Sequence, residues 1–67
     1  MYELIENFGW VRLVSKNPYM VSFSKDGEFR MNIYFTTGTI TIQDKDQNMT
    51  TYKDVHSLEE IEKICMV

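Results

Sequence analysis

Apolar residues recur with two different periods along this chain, and the change of period divides it into elements. Met1, Leu4, Ile5 and Phe8 fall at i, i+3, i+4 and i+7, which is one face of a helix. Glu3, near the positive end of the helix dipole, and Gly9, suited to a helix C-terminus, frame that segment. The pattern predicts a short helix whose apolar stripe must dock, because so short a helix is unstable alone in water. Residues 10–14 alternate loosely and read as a short strand or as the tail of the helix. Asn17 and Pro18 then break the chain, since proline pushes its predecessor out of the helical region and asparagine favours turns.

From there the period is two. Tyr19, Val21 and Phe23 alternate with Met20, Ser22 and Ser24; Phe29, Met31, Ile33 and Phe35 alternate with Arg30, Asn32 and Tyr34. Turn chemistry suggests a register. A three-residue loop of Lys25, Asp26 and Gly27 sets Ser24 opposite Glu28, Phe23 opposite Phe29, Val21 opposite Met31 and Tyr19 opposite Ile33. A two-residue Asp26-Gly27 turn sets Phe23 against Arg30, so matching of faces favours the longer loop. In the next hairpin a Thr37-Gly38 turn pairs Thr36 with Thr39, Phe35 with Ile40, Tyr34 with Thr41 and Ile33 with Ile42. Thr37 is a poor residue for the positive φ of a type I′ turn.

Residues 44–48 form a polar loop, and residues 49–55 read as a fourth strand whose register the pattern leaves open. The final element is a helix. Ser57 with Glu60 three residues on makes a capping box, Glu59 and Glu60 suit the first turn, and Leu58, Ile61, Ile64 and Cys65 form the inward stripe. The expectation is one α+β domain over residues 1–67: a three- to four-stranded antiparallel β-meander, with a short N-terminal helix and a C-terminal helix packed on one face. The strand-then-helix order resembles Pur-type single-strand-binding repeats in topology alone, without a shared motif.

Size and charge narrow the functional classes. Sixty-seven residues with one Cys and one His exclude an internal disulfide framework and a Cys/His zinc set, so a partner subunit is one route to stability. A net charge of −3 argues against strong non-specific attraction to nucleic acid or to an anionic membrane. With no secretory pattern at the N-terminus and no long apolar run, the chain reads as soluble and cytoplasmic.

The candidate chemistry is sparse. Asp54, His56 and Ser57 crowd one junction where Ser57 is needed as a cap, which argues against a triad. Asp44, Asp46, Gln47 and Asn48 lack the Gly and distal Glu of a calcium loop. Gly9, Gly27 and Gly38 lie too far apart for a phosphate loop, and Cys65 sits on an apolar stripe. No catalytic residue, metal or cofactor is expected.

What stands above this background is the sheet face opposite the helices. If Phe29, Met31, Ile33, Phe35, Ile40 and Ile42 point inward, then Arg30, Asn32, Tyr34, Thr41, Gln43 and Met20 share the outer face with Ser22, Ser24 and Thr39. Flat hydrogen-bonding side chains beside a tyrosine suit a protein partner or stacked single-stranded bases. Trp10 is expected either to plug the sheet or to stand at an interface as an anchor. Residues 10–35 carry Arg12, Lys16, Lys25 and Arg30 against Asp26 and Glu28, whereas residues 44–67 carry three bases and six acids. So few cations make nucleic-acid binding weak and salt-sensitive. Edge strands add a second route, through strand addition or a homodimer. The sequence therefore reads first as a non-enzymatic acidic binding domain acting through protein-protein contact. Its size suits an accessory or inhibitory modulator of a larger partner, a virus- or mobile-element-encoded one included. Weak single-stranded nucleic-acid binding on the same face is the second reading.

Overall fold

The computed structural model describes residues 3–66, and the Met1 position of the first helical stripe lies outside them. Among the described residues the elements are α1 (Glu3–Asn7), β1 (Val11–Leu13), β2 (Met20–Lys25), β3 (Phe29–Tyr34), β4 (Thr39–Gln43), β5 (Met49–Tyr52) and α2 (Leu58–Cys65). The strands form an open antiparallel sheet in the order β1-β2-β3-β4-β5. The α+β class agrees with the sequence pattern, but the sheet has five strands. The additional one is β1, where the short alternation of residues 10–14 proves to be extended, and β5 stops at Tyr52.

Both hairpins keep the expected faces and shift their partners by two residues. Asp26 and Gly27 both have positive φ (55° and 68°), and the Glu28 N–H donates to the Lys25 carbonyl at 3.0 Å. The loop has three residues, as face matching favoured, but they are Asp26, Gly27 and Glu28 rather than Lys25, Asp26 and Gly27, so that Lys25 pairs with Phe29, Phe23 with Met31 and Val21 with Ile33. The β3–β4 turn is longer than expected. Residues 35–38 all belong to it, Thr37 and Gly38 both donate to the Tyr34 carbonyl (3.2 and 2.9 Å), and Gly38 alone takes the left-handed position. Thr37 is thus spared a positive φ, Tyr34 pairs with Thr39, and Ile33 pairs with Ile40.

The longer turn corrects one core assignment. Phe35 lies in the turn and is 46% exposed. Tyr19, expected to pair with Ile33, is likewise exposed, because the Asn17 carboxamide oxygen accepts its N–H at 2.9 Å and holds it in a turn ahead of β2.

The core lies between the helices and one sheet face. Phe23, Met31, Ile33, Ile40 and Ile42 from the strands meet Ile5 of α1, Ile64 and Cys65 of α2, Trp10 and Val55. Phe29 packs half-buried at the border. In α2 the Ser57 hydroxyl accepts the Glu60 N–H at 3.2 Å, as an N-cap should. The Ser57 hydroxyl in turn donates to the Glu60 carboxylate at 3.2 Å. Ile64 and Cys65 are buried and Ile61 half-buried, but Leu58, in the first turn, is 67% exposed beside an open slot and not under the lid.

Candidate interaction face

Strand register decides which side chains share the uncovered face, because residues paired across antiparallel strands point the same way. Three rows cross it. One runs Val11, Ser24, Arg30, Gln43, Met49; the next Leu13, Ser22, Asn32, Thr41, Thr51; the third Met20, Tyr34, Thr39. Every residue expected on this face from the sequence is there: Arg30, Asn32, Tyr34, Thr41, Gln43 and Met20. Arg30 is exposed, and the other five are half-buried. Val11, Leu13, Met49 and Thr51 also belong to it. They were missed because residues 10–14 had two readings and β5 had no register, although the apolar pair Val11 and Leu13 around Arg12 carries the alternation of a strand.

The middle row is a hydrogen-bonded ladder. Ser22 is fully buried, and its hydroxyl donates to the Asn32 carboxamide oxygen at 2.8 Å. The Asn32 amide in turn donates to the Thr41 hydroxyl at 3.5 Å. A buried hydroxyl without a partner is costly, so Asn32 is committed to holding strands β2 to β4. Among the described residues no buried side-chain polar atom lacks a partner. Arg30 and Tyr34, on either side of that row, stand closer to solvent than the buried Ser22 between them.

Trp10 is not part of this face. It is only 2% exposed, packs under the helices at 6.5 Å from Phe29, and has the Lys25 ammonium 5.8 Å from its ring centre. The expectation of an interface anchor is therefore corrected: the indole is a core plug, and a contiguous patch of Trp10, Tyr34 and Met20 does not form. Met20 and Tyr34 are direct cross-strand partners.

The open face has an unusual charge pattern. Among its strand residues Arg30 is the charged one, and none is acidic, in a chain with ten Asp and Glu. The acids lie instead on the helices and in the turns. Asp44 uses its carboxylate to accept the Asp46 and Asn48 N–H groups at 2.9 and 3.0 Å. The Asn48 N–H above all holds its carboxyl below the usual range.

The other reactive groups are placed as structural parts. His56 lies with its ring against Gly38, Ser57 caps α2, and burial pushes the Cys65 thiol up to about 11. Among the described residues no group of three or more His, Cys, Asp or Glu gathers in a way that would hold a metal ion, and no helix is long and apolar enough to cross a membrane. No protein-family model, curated protein or solved structure matches the chain.

Proposed function

We propose that the chain is a non-enzymatic recognition domain that docks a protein partner on the open sheet face, as an accessory or inhibitory modulator of a larger protein. The observation that carries this reading is the composition of that face. Tyrosine, arginine and methionine are enriched at protein interfaces whereas Lys, Glu and Asp are depleted, and this face combines Tyr34, Arg30, Met20 and Met49 with no acid. An open surface of amide, hydroxyl and apolar groups suits a partner surface of the same kind that offers a carboxylate to Arg30. A single cation on the face gives little purchase on a phosphate backbone, which places single-stranded nucleic acid second.

The test compares proteins captured by the wild-type chain with those captured by a Tyr34→Ala/Arg30→Glu variant and by a Glu59→Ala control on α2. A partner retained by wild type and control but lost by the face variant supports the reading. Equal capture by all three, or none by any, overturns it. Titration of a fluorescent single-stranded oligonucleotide at low salt addresses the second reading, which requires that Tyr34→Ala weaken binding.

A further inference from the structure

The open sheet has two edges, β1 and β5, and they are unlike. β1 is only three residues long and carries Arg12 at its centre, and shortness and charge both blunt an edge against pairing with another chain. β5 carries neither device. Met49, Thr50, Thr51 and Tyr52 include no charge and no proline, they pair with β4 without a bulge, and the first three are exposed.

The phase of hydrogen bonding between β4 and β5 fixes which main-chain groups of β5 are left over. The Asp44 N–H donates to the Asn48 carbonyl at 3.1 Å, so by alternation the next pairs to exchange hydrogen bonds are Ile42 with Thr50 and Ile40 with Tyr52. Thr50 and Tyr52 therefore turn their N–H and C=O groups toward β4. Met49 and Thr51 turn theirs the other way, in the plane of the sheet, where the sheet ends. On the helix side a hollow of about 420 Å3 opens between Tyr52 and Val55 and the Glu60 and Lys63 flank of α2, which leaves room for a strand along this edge.

We propose that β5 pairs antiparallel with β5 of a second copy of the chain, joining the two five-stranded sheets into one. A row of outward N–H and C=O groups is satisfied by an extended backbone, and a two-fold axis decides how β5 meets itself. With the axis at Thr51, the outward groups of Thr51 face those of the partner's Thr51, Thr50 lies beside the partner's Tyr52, and Met49 lies along the aliphatic stem of the partner's Lys53. The neighbouring registers set like charges level with each other. An axis at Met49 opposes Lys53 to the partner's Lys45, and an axis at Thr50 opposes Asp54 to the partner's Asp46. The Thr51 register opposes no like charges. A second copy brings this match with it, and a chain of 67 residues with one cysteine has no internal disulfide to offset its small core, for which a partner subunit is a common remedy. The side chains of Met49 and Thr51 stand on the open face, so pairing continues that face across the axis and leaves Arg30 and Tyr34 uncovered.

Sedimentation equilibrium of the whole chain over a concentration series tests the pairing. The apparent mass is expected to rise from 8.0 kDa toward twice that value. Thr51→Pro removes an outward N–H that β4 does not use, so it should raise the midpoint concentration of dimerisation at least about tenfold while far-UV circular dichroism still shows a folded monomer. Thr51→Val keeps the main chain and should leave the midpoint within about threefold of wild type. Tyr34→Ala, which tests the open face, should leave it unchanged, so the two readings fail separately. Amide exchange of the wild-type chain needs no variant: the Met49 and Thr51 N–H groups should exchange at least about tenfold more slowly above the midpoint than in dilute solution, and that of Thr50 should be slow in both. A chain that stays at 8.0 kDa at every concentration overturns the inference, and capture of another protein's strand on β5 by such a monomer would assign the edge to that partner instead. A dimer that Thr51→Pro leaves intact, one that Thr51→Val or Tyr34→Ala weakens as much as Thr51→Pro does, or Met49 and Thr51 amides that stay fast in the dimer overturn it equally.

Discussion

The indole N–H of Trp10 donates to the main-chain carbonyl of Cys65 at 3.1 Å, joining two buried residues 55 positions apart. The bond satisfies one of the carbonyls that every helix leaves without an intrahelical partner at its C-terminal end. It also fastens the segment between α1 and β1 to the last turn of α2, so that both helices are held to the same edge of the core. Trp10→Phe keeps most of the apolar bulk and removes the donor, leaving the Cys65 carbonyl buried and unpaired. The expected loss is about 1–3 kcal/mol in urea unfolding followed by far-UV circular dichroism. An unchanged midpoint would mean that the indole bond contributes nothing.

Gly38 is the second point at which one residue type is required. Its φ is +71°, and a Cβ built there lies 2.6 Å from Cε1 of the His56 ring. Left-handed backbone costs an L-residue about 1–2 kcal/mol, and the ring must also give way. The Gly38 carbonyl accepts the Val55 N–H at 2.8 Å, so a shift of the turn propagates into the chain leading to α2. Gly38→Ala is therefore expected to lower stability by about 2 kcal/mol, which for a domain this small means roughly 8–16 °C in Tm. In the Gly38→Ala/His56→Ala double variant the steric part should be relieved and the backbone part should remain. If the double variant is no better than the single one, the ring is not in the way.

The six open-face residues separate into two kinds. Asn32 links Ser22 to Thr41, and Ser22 has no exposed surface. Asn32→Ala strands the Ser22 hydroxyl and should cost about 1–3 kcal/mol of stability. Arg30→Ala removes an exposed side chain and should stay within about 0.5 kcal/mol of wild type, and Tyr34→Ala, at a half-buried strand position opposite Met20, should cost no more than about 1 kcal/mol. Thermal unfolding of the three variants side by side decides the division. Comparable losses in all three would show that the face is a single structural unit with no residues spare for recognition.

How much of this was legible beforehand follows from what each signal measures. Alternation reports which face a side chain takes, and that survived from Phe29 to Tyr34 and from Thr39 to Gln43, failing at Phe35 where the strand gives way to the turn. Register depends on turn geometry, which the sequence encodes less directly. Asp26-Gly27 is a strong two-residue turn signal, but the three-residue loop takes Glu28 in place of Lys25, which alternation cannot detect, and every partner moves by two. A tight Thr37-Gly38 turn was expected although Thr37 suits the positive φ of a type I′ turn poorly, and the chain answers by placing Phe35 in a longer one. Leu58 misled for another reason: helical periodicity identifies the side that faces a neighbour, not how far the neighbour extends. Trp10 could not be placed from the sequence because its partner, the Cys65 carbonyl, is main chain and carries no residue signature.

Cys65 gives the alkaline limb of the stability curve a specific slope. The thiol has no exposed surface; burial raises its pKa from the ordinary 9.0 to about 11, and the positive charge of Lys25 offsets part of the rise. Between these values the unfolded chain releases a proton that the native chain retains. The native state is therefore progressively disfavoured as pH rises from about 9 through about 11, and below about 9 the thiol has no effect on the balance. The full difference is on the order of 2–3 kcal/mol. Lysines and tyrosines also titrate in this range, so the measurement is the difference between wild type and Cys65→Ala in urea unfolding at pH 8, 10 and 11. Cys65→Ala should lose more stability than it gains at pH 8, through the cavity it leaves, and the gap to wild type should narrow as pH rises. Iodoacetamide at pH 8 should label the native protein only through opening of the α2 end, so the labelling rate should rise with urea. Rapid labelling without urea, or a gap that stays constant to pH 11, would show that the thiol is open to solvent and that α2 does not seal this side of the core.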